Sequence, residues 1–203
     1  MATISGNVTF SSAELAALAK QVAPLLSTPP IVTPPVVTPP VIPPAAGTFW
    51  VYQNGQFNWT NHFSFNGSPN LGDTLGRPVG GKADIAFTLA TPFGGYQPYL
   101  AAGFDTSKYK YLTYSIKPTI AGQIIATGFD ANNDVRDGNP IVVAGPGITK
   151  YGPVPIVGQW ATYKVPLVDF ALNNANVLKF SIADGSGSPA GSVIYIDNVG
   201  FSP

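Results

Sequence analysis

The chain of 203 residues contains no cysteine, one methionine, one histidine (His62) and one glutamate (Glu14). Lack of cysteine rules out a disulfide scaffold, a thiolate metal site and a cysteine nucleophile. With one imidazole and one glutamate, acid–base chemistry would fall to nine aspartates, most of them at turns or strand ends, where Asp is a common structural residue. A glycosidase needs two carboxyls roughly 5–10 Å apart across the sugar. No serine nucleophile elbow, phosphate loop or dinucleotide glycine fingerprint is present either. Together these absences predict a protein that is not an enzyme.

Charge is scarce as well. Charged residues make up 10% of the chain and sum to zero, against roughly 25% in an average soluble protein. No long-range field draws in nucleic acid, so nucleic-acid binding is not expected. No apolar run approaches the roughly 20 residues needed to span a bilayer. The first residues lack the basic and apolar regions of a secretory signal. The expected location is therefore a virion surface, or another extracellular site reached without such a signal, as on release by lysis.

What is abundant is proline, and it is concentrated. Nine of the 21 prolines fall between Pro24 and Pro44, in the run TPPIV-TPPVV-TPPVI-PP. Paired prolines every five residues forbid helix and central strand, leaving polyproline II. At about 3 Å per residue, residues 28–44 would extend roughly 50 Å. The run divides the chain into an N-terminal anchoring segment (1–27), a stalk (28–47) and a head (48–203). In the first, Ile4, Val8 and Phe10 alternate with polar residues as in a short strand. Ser11 and Glu14 then have capping-box spacing. Leu15, Leu18, Val22 and Leu25 follow as the seam of a short amphipathic helix. Such a helix is marginal alone, so these residues are expected to self-associate or dock. Ile and Val between the prolines favour bundled stalks, a trimer being one arrangement.

In the head, strand-like runs at 49–52, 57–65, 84–89, 111–117, 123–129, 160–165, 177–183 and 193–201 are separated by Gly-, Pro- and Asn-rich turns, including Asn66-Gly67, Asp137-Gly138 and Asp184-Gly185. Short strands with such turns predict an all-β, antiparallel sandwich or jelly roll. Leu112, Tyr114 and Ile116 read as one core face, and so do Leu178, Phe180 and Ile182. Pro166 suits a strand leaving at a sheet edge. Trp160 is assigned to the core and His62, alternating with Phe63, to the surface.

Four motifs occur in order: FDTSKYKYLTYSIK (104–117), GQWATYKVPLVDF (158–170), LKFSIAD (178–184) and IYIDNVGF (194–201). Together they resemble the galactose-binding-like jelly rolls of non-catalytic carbohydrate-binding modules. The resemblance implies a glycan or polysaccharide partner. It also implies a structural calcium near the closing strand, with Asp197 in the position of its aspartate and no other cofactor required. The acidic partner usually supplied by the N-terminal strand is absent from Tyr52-Gln53-Asn54. In DANNDVRDG (130–138), Val135 stands where a calcium loop wants glycine, so this is read as a polar hairpin tip.

Sugar binding sets aromatic faces against apolar sugar faces. Phe57, Trp59, Phe63 and Phe65 fall on one strand face and read mainly as core, with Trp59 a candidate platform. Phe93, Tyr96, Tyr99 and Tyr151 lie in Gly/Pro-rich stretches read as loops, which makes them ligand candidates. The expected function is a display protein with a carbohydrate-binding-like head. A phage virion accessory (head fibre, decoration or tail-fibre protein) meeting cell-surface glycans fits first. A binding module of a secreted polysaccharide hydrolase and a purely structural decoration protein are the alternatives.

Overall fold

The computed structural model describes residues 47–76, 81–131 and 136–203, which belong to the compact unit Thr38–Pro203. The anchoring segment with Leu15, Leu18, Val22 and Leu25, and the proline-rich run, lie outside the described residues, as does the tip 132–135.

The described strands are β1 (Phe49–Gln53), β2 (Gln56–Phe57), β3 (Asn61–Phe65), β4 (Gly67–Asp73), β5 (Asp84–Leu89), β6 (Gly95–Asp105), β7 (Tyr111–Pro118), β8 (Ile125–Asp130), β9 (Arg136–Ala144), β10 (Ala161–Pro166), β11 (Asn176–Asp184) and β12 (Val193–Ser202). Two single 3-10 turns, Thr106–Lys108 and Leu167–Phe170, are the only helical segments among the described residues. The first sheet runs β10-β7-β12-β1-β2, with β5 also paired to β12 and β4 to β5. The second runs β3-β6-β11-β8-β9. Every pairing is antiparallel, and the two sheets form the expected jelly-roll sandwich.

Period-two alternation sends one side of each strand into the core. The first sheet contributes Ile85, Phe87, Leu112, Tyr114, Ile116, Ile194 and Ile196, and the second Tyr96, Ile125, Phe129, Phe180 and Ile182, all fully buried. Between the sheets the Tyr114 hydroxyl and Thr127 Oγ1 lie 2.8 Å apart, so both buried polar tips are satisfied. At one end the core is aromatic. Trp59 sits 5.5 Å from Phe104 and 5.4 Å from Phe180, and Phe104 lies 4.5 Å from Phe201. The edge strand β10 ends at Pro166, as the missing amide donor requires.

Several local expectations need correction. The run 57–65 is not one strand. The chain leaves strand conformation at Asn58–Thr60, between β2 and β3, and drops Trp59 into the core. That break shifts the register, so Phe63 and Phe65 face outward while half-buried His62 turns in, 5.9 Å from Tyr96 and 5.7 Å from Phe57. The stretch containing Tyr96 and Tyr99 is not a loop but β6, paired on both sides by β3 and β11, which overrides its Gly and Pro content. Asp137-Gly138 lies inside β9 rather than at a turn, with Gly138 at φ 64°. A bulge between Val177 and Lys179 puts Val177, not Leu178, in the core. Trp160 is outside the core, half-buried against Gly76, whose carbonyl accepts its indole N–H at 2.8 Å.

Candidate functional site

Two places on the sandwich combine accessibility or unmet polar valence with a definite geometry. The first is the outer face of the second sheet. Register sets its residues in rows across the strands. One row reads Asn61, Tyr99, Lys179, Asp130, Arg136. Another reads Phe65, Gly95, Ala183, Ala126, Val142. Between them Phe63 faces Gln97 and Ser181 faces Gly128. Five strands make the face about 19 Å wide.

One edge of this face is aromatic. Phe63 is 47% and Phe65 38% exposed, and Phe63 meets half-buried Tyr99 edge-on at 5.2 Å. The Phe65 ring covers Gly95, where a side chain would strike it at 2.5 Å. The floor beside it is small and half-buried, at Ala126 and Ala183. At the other edge the Arg136 side chain lies across Gly128 beside Pro140. Arg136 Nε is 3.3 Å from Asp130 Oδ1, and Lys179 Nζ is 3.8 Å from Asp130 Oδ2. Asp130 is the one carboxylate among the described residues of these rows.

The second place lies where the edge of β12 changes partner. β5 pairs Val193–Ile196 and β1 pairs Val199–Phe201, with a bulge between Asp197 and Gly200 and Asn198 at φ 51°. In this fork stand buried Asp197, Asp84 at the start of β5, and Asp73, Asp84's cross-strand neighbour. Asp73 Oδ2 accepts from the Leu75 and Gly76 amides at 2.9 and 2.8 Å. Asp197 Oδ1 accepts from Asn198 N at 2.7 Å and Asn54 N at 3.4 Å. Among the described residues Asp197 Oδ2 accepts from nothing, and Asp84 meets only the neighbouring Asp73 carboxyl. Burial, then a carboxyl–carboxyl hydrogen bond with Asp73 and the Asp73 and Asp197 charges, opposed by Lys117, pushes Asp84 up to about 7. Burial also raises Asp197 to about 6, against the pull of the two amides.

Orphaned carboxylate oxygens inside a protein are costly unless paired or metal-bound. Their hard oxygen chemistry fits calcium. Among the described residues no three His, Cys, Asp or Glu side chains converge as a complete ligand set. Asp84 and Asp197 would thus be a carboxylate pair completed by backbone oxygen or water. Asp84, from another strand, lies close enough to Asp197 to feel its charge, whereas Tyr52-Gln53-Asn54 offers no acid. Its signal in the sequence was a charge opening an otherwise apolar strand.

The candidate aromatics scatter. Tyr99 joins the aromatic edge of the second sheet. Trp59, 5% exposed, and Tyr96, fully buried, are core residues and cannot present a ring to a sugar. Phe93 is exposed at the turn before β6, at φ 60°, with its ring against Gly187. Tyr151 is half-buried beside β10, its carbonyl accepting from Lys164 N and its ring capped by Lys150 Nζ at 5.0 Å. Phe63 and Phe65, read as core, are open rings as well.

No family model and no curated protein matches the chain. Solved structures do. A family 11 carbohydrate-binding module from a cellulosomal cellulase of Clostridium thermocellum matches at TM-score 0.50 and 14% identity, over 78% of this chain and 96% of that one. A family 29 carbohydrate-binding module complexed with cellulohexaose matches at TM-score 0.51 and 14% identity, over 76% and 89%. An exo-beta-agarase matches at TM-score 0.53 and 14% identity, over 77% of this chain but 24% of its own. The head shares the jelly-roll fold of carbohydrate-binding modules.

Proposed function

We propose that the head is a non-catalytic glycan-binding module whose outer second-sheet face holds a polysaccharide chain. The observation carrying this reading is the pair of open rings, Phe63 and Phe65, beside Tyr99 on a floor of small residues. Carried on a paired strand rather than a loop, with Phe65 laid over Gly95, they offer preformed apolar planes. Gln97, Asn61 and the Asp130–Arg136–Lys179 group supply hydroxyl partners. The fold shared with a module solved with cellulohexaose supports the same class of ligand.

Asp84 and Asp197 would hold a calcium ion, tying the β12–β1–β5 fork together. Two settings suit such a head. One is a surface-display protein, such as a phage virion accessory, attached through residues 1–47 and repeated so that weak contacts add. The other is a module of a secreted polysaccharide hydrolase, a setting favoured by the agarase match, which covers a quarter of that chain.

The test is a glycan-array screen of the full chain followed by titration of the hits. Binding that Tyr99→Ala and Phe63→Ala each weaken at least about tenfold, while Tyr151→Ala does not, is the expected result. Silence across the array from a folded protein would leave a structural decoration role instead.

A further inference from the structure

We propose that the outer edge of β3 pairs antiparallel with the same edge of a second copy of this chain, about a twofold axis at Phe63. The second sheets of the two copies then become one continuous sheet. A sheet edge is a row of unanswered amides and carbonyls, which proteins blunt with proline, charge, bulges, very short strands or a cover. The other described edges are blunted in these ways. β2 is two residues long. β4 carries Pro69 and loses register between Asn70 and Asp73. β9 carries Arg136, Asp137 and Pro140 and breaks register twice. β10 ends at Pro166 and gives its Lys164 amide to the Tyr151 carbonyl at 2.9 Å.

β3 has none of these devices. Asn61–Phe65 holds no proline, glycine, lysine or carboxylate, and all of it but His62 is exposed. Its pairing with β6 runs from end to end without a bulge, and among the described residues no strand flanks its other side. Pro98 decides which groups that side presents. Lacking an amide, it makes His62↔Pro98 a pair that exchanges no hydrogen bonds. Alternation then assigns Asn61, Phe63 and Phe65 to bonding with β6, and turns the amides and carbonyls of His62 and Ser64 outward. The His62 amide agrees, since it donates to Asn61 Oδ1 at 2.8 Å rather than to a strand.

This edge is complementary to itself. In antiparallel pairing centred on Phe63, His62 of each copy lies opposite Ser64 of the other, so the outward groups of one edge meet those of its twin. Phe63 then faces its own counterpart in a non-hydrogen-bonded pair, with Cα atoms about 4.5 Å apart, a position where aromatic pairs stabilise a sheet. An extended peptide of other sequence would match the backbone alone. A second copy matches backbone and ring together, using the same patch twice as a twofold contact must. Charge does not oppose the approach: the chain sums to zero, and β3 has no lysine, arginine or carboxylate to meet its own kind. The pairing sets the aromatic edges of two second-sheet faces side by side, whatever ligand those faces take.

The experiment is disulfide trapping in the full chain, which has no cysteine of its own. Under mild oxidation Phe63→Cys should give a covalent dimer, because a Cα separation of about 4.5 Å suits a disulfide. Asn61→Cys alone should not, yet mixed with Phe65→Cys it should, since the register sets Asn61 against Phe65. Val168→Cys, 82% exposed on a 3-10 turn, reports chance collisions. Paired copies hold their thiols at high effective concentration, so Phe63→Cys should cross-link at least about tenfold faster than Val168→Cys. Adding Ser64→Pro removes an outward amide and leaves the bonds to β6 in place, so it should erase that advantage. Melting curves confirm that the variants fold, and the register test stands without the proline. Cross-linking of Phe63→Cys no faster than Val168→Cys, self-linking of Asn61→Cys as fast as Phe63→Cys, or a link that survives Ser64→Pro overturns the proposal.

Discussion

The two outer faces of the sandwich both carry aromatic rings, but they use them differently. On the first sheet, Lys117 Nζ lies 4.6 Å from the Tyr195 ring and 5.7 Å from that of Trp160, while Gly76 packs against Tyr195 and bonds the Trp160 indole. Tyr111 is capped the same way by Lys164 Nζ at 4.0 Å. On the second sheet, Phe63 and Phe65 have no cation over them among the contacts of the described residues; Phe65 lies over Gly95 and Phe63 meets Tyr99 edge-on. A ring facing outward is not yet a platform. What decides is whether the chain has already covered it. Rings capped by cations close the first face, and uncapped ones lie open on the second.

The sharpest way to break this comparison is to move from face to core. Trp59 was a candidate platform and is now part of the aromatic cluster with Phe104, Phe180 and Phe201. Trp59→Ala should cost about 3–5 kcal/mol and jeopardise folding. Tyr99→Ala, half-exposed, should stay within roughly 1–2 kcal/mol of wild type. Chemical denaturation of both variants measures the contrast, and a well-folded Trp59→Ala would return that ring to the list of platforms.

Next comes the contrast between faces. Phe63→Ala and Tyr99→Ala should each lower glycan affinity at least about tenfold with melting temperature nearly unchanged. Trp160→Ala should do the reverse, lowering the melting temperature by several degrees and sparing affinity. If Trp160→Ala abolished binding instead, the closed face would be the ligand face.

The sandwich was legible because its strands obey period two. Leu112, Tyr114 and Ile116, and Ile194 and Ile196, are buried as alternation predicts. The site was not, for three local reasons. A break of three residues after β2 inverted the register of β3, exchanging the assigned faces of His62 and Phe63. Pro98 and paired glycines hid β6, whose conformation is imposed by partners 30 to 38 residues away on one side and 71 to 88 on the other. Arg136, Lys179 and Asp84 come from separate strands, so no linear spacing joins them to Asp130 or to Asp197. Asp197 itself was found through the closing-strand motif, which is local.

The fork at β12 sharpens the comparison further, since on the first face charge rather than a ring remains unanswered. Asp84 moves from 3.8 to about 7 on folding. A raised carboxylate binds more protons folded than unfolded between those values, so calcium-free stability should fall as pH rises through that window. Calcium should therefore raise the melting temperature by several degrees at pH 8 and little at pH 5, where protons hold the oxygens. Asp84→Asn should flatten the pH profile and remove the calcium response. A calcium response that persisted in that variant would place the ion elsewhere.

The smallest effect separates the two roles of Lys117, which caps two rings and also pulls Asp84 down. Lys117→Met keeps the bulk of the side chain and deletes the charge. Loss of the cation–π contacts should cost about 0.5–1 kcal/mol at low pH, where Asp84 is protonated and indifferent to a neighbouring ammonium. With that charge gone, Asp84 should rise above about 7, so the midpoint of the pH-dependent loss should move to higher pH. Above the midpoint, a site relieved of a nearby cation should take calcium more tightly. Thermal melts from pH 5 to pH 9, with and without calcium, read all three at once. A uniform loss of stability at every pH would mean that Lys117 serves only as a cap, and that Asp84 owes its shift to burial and to its fellow aspartates.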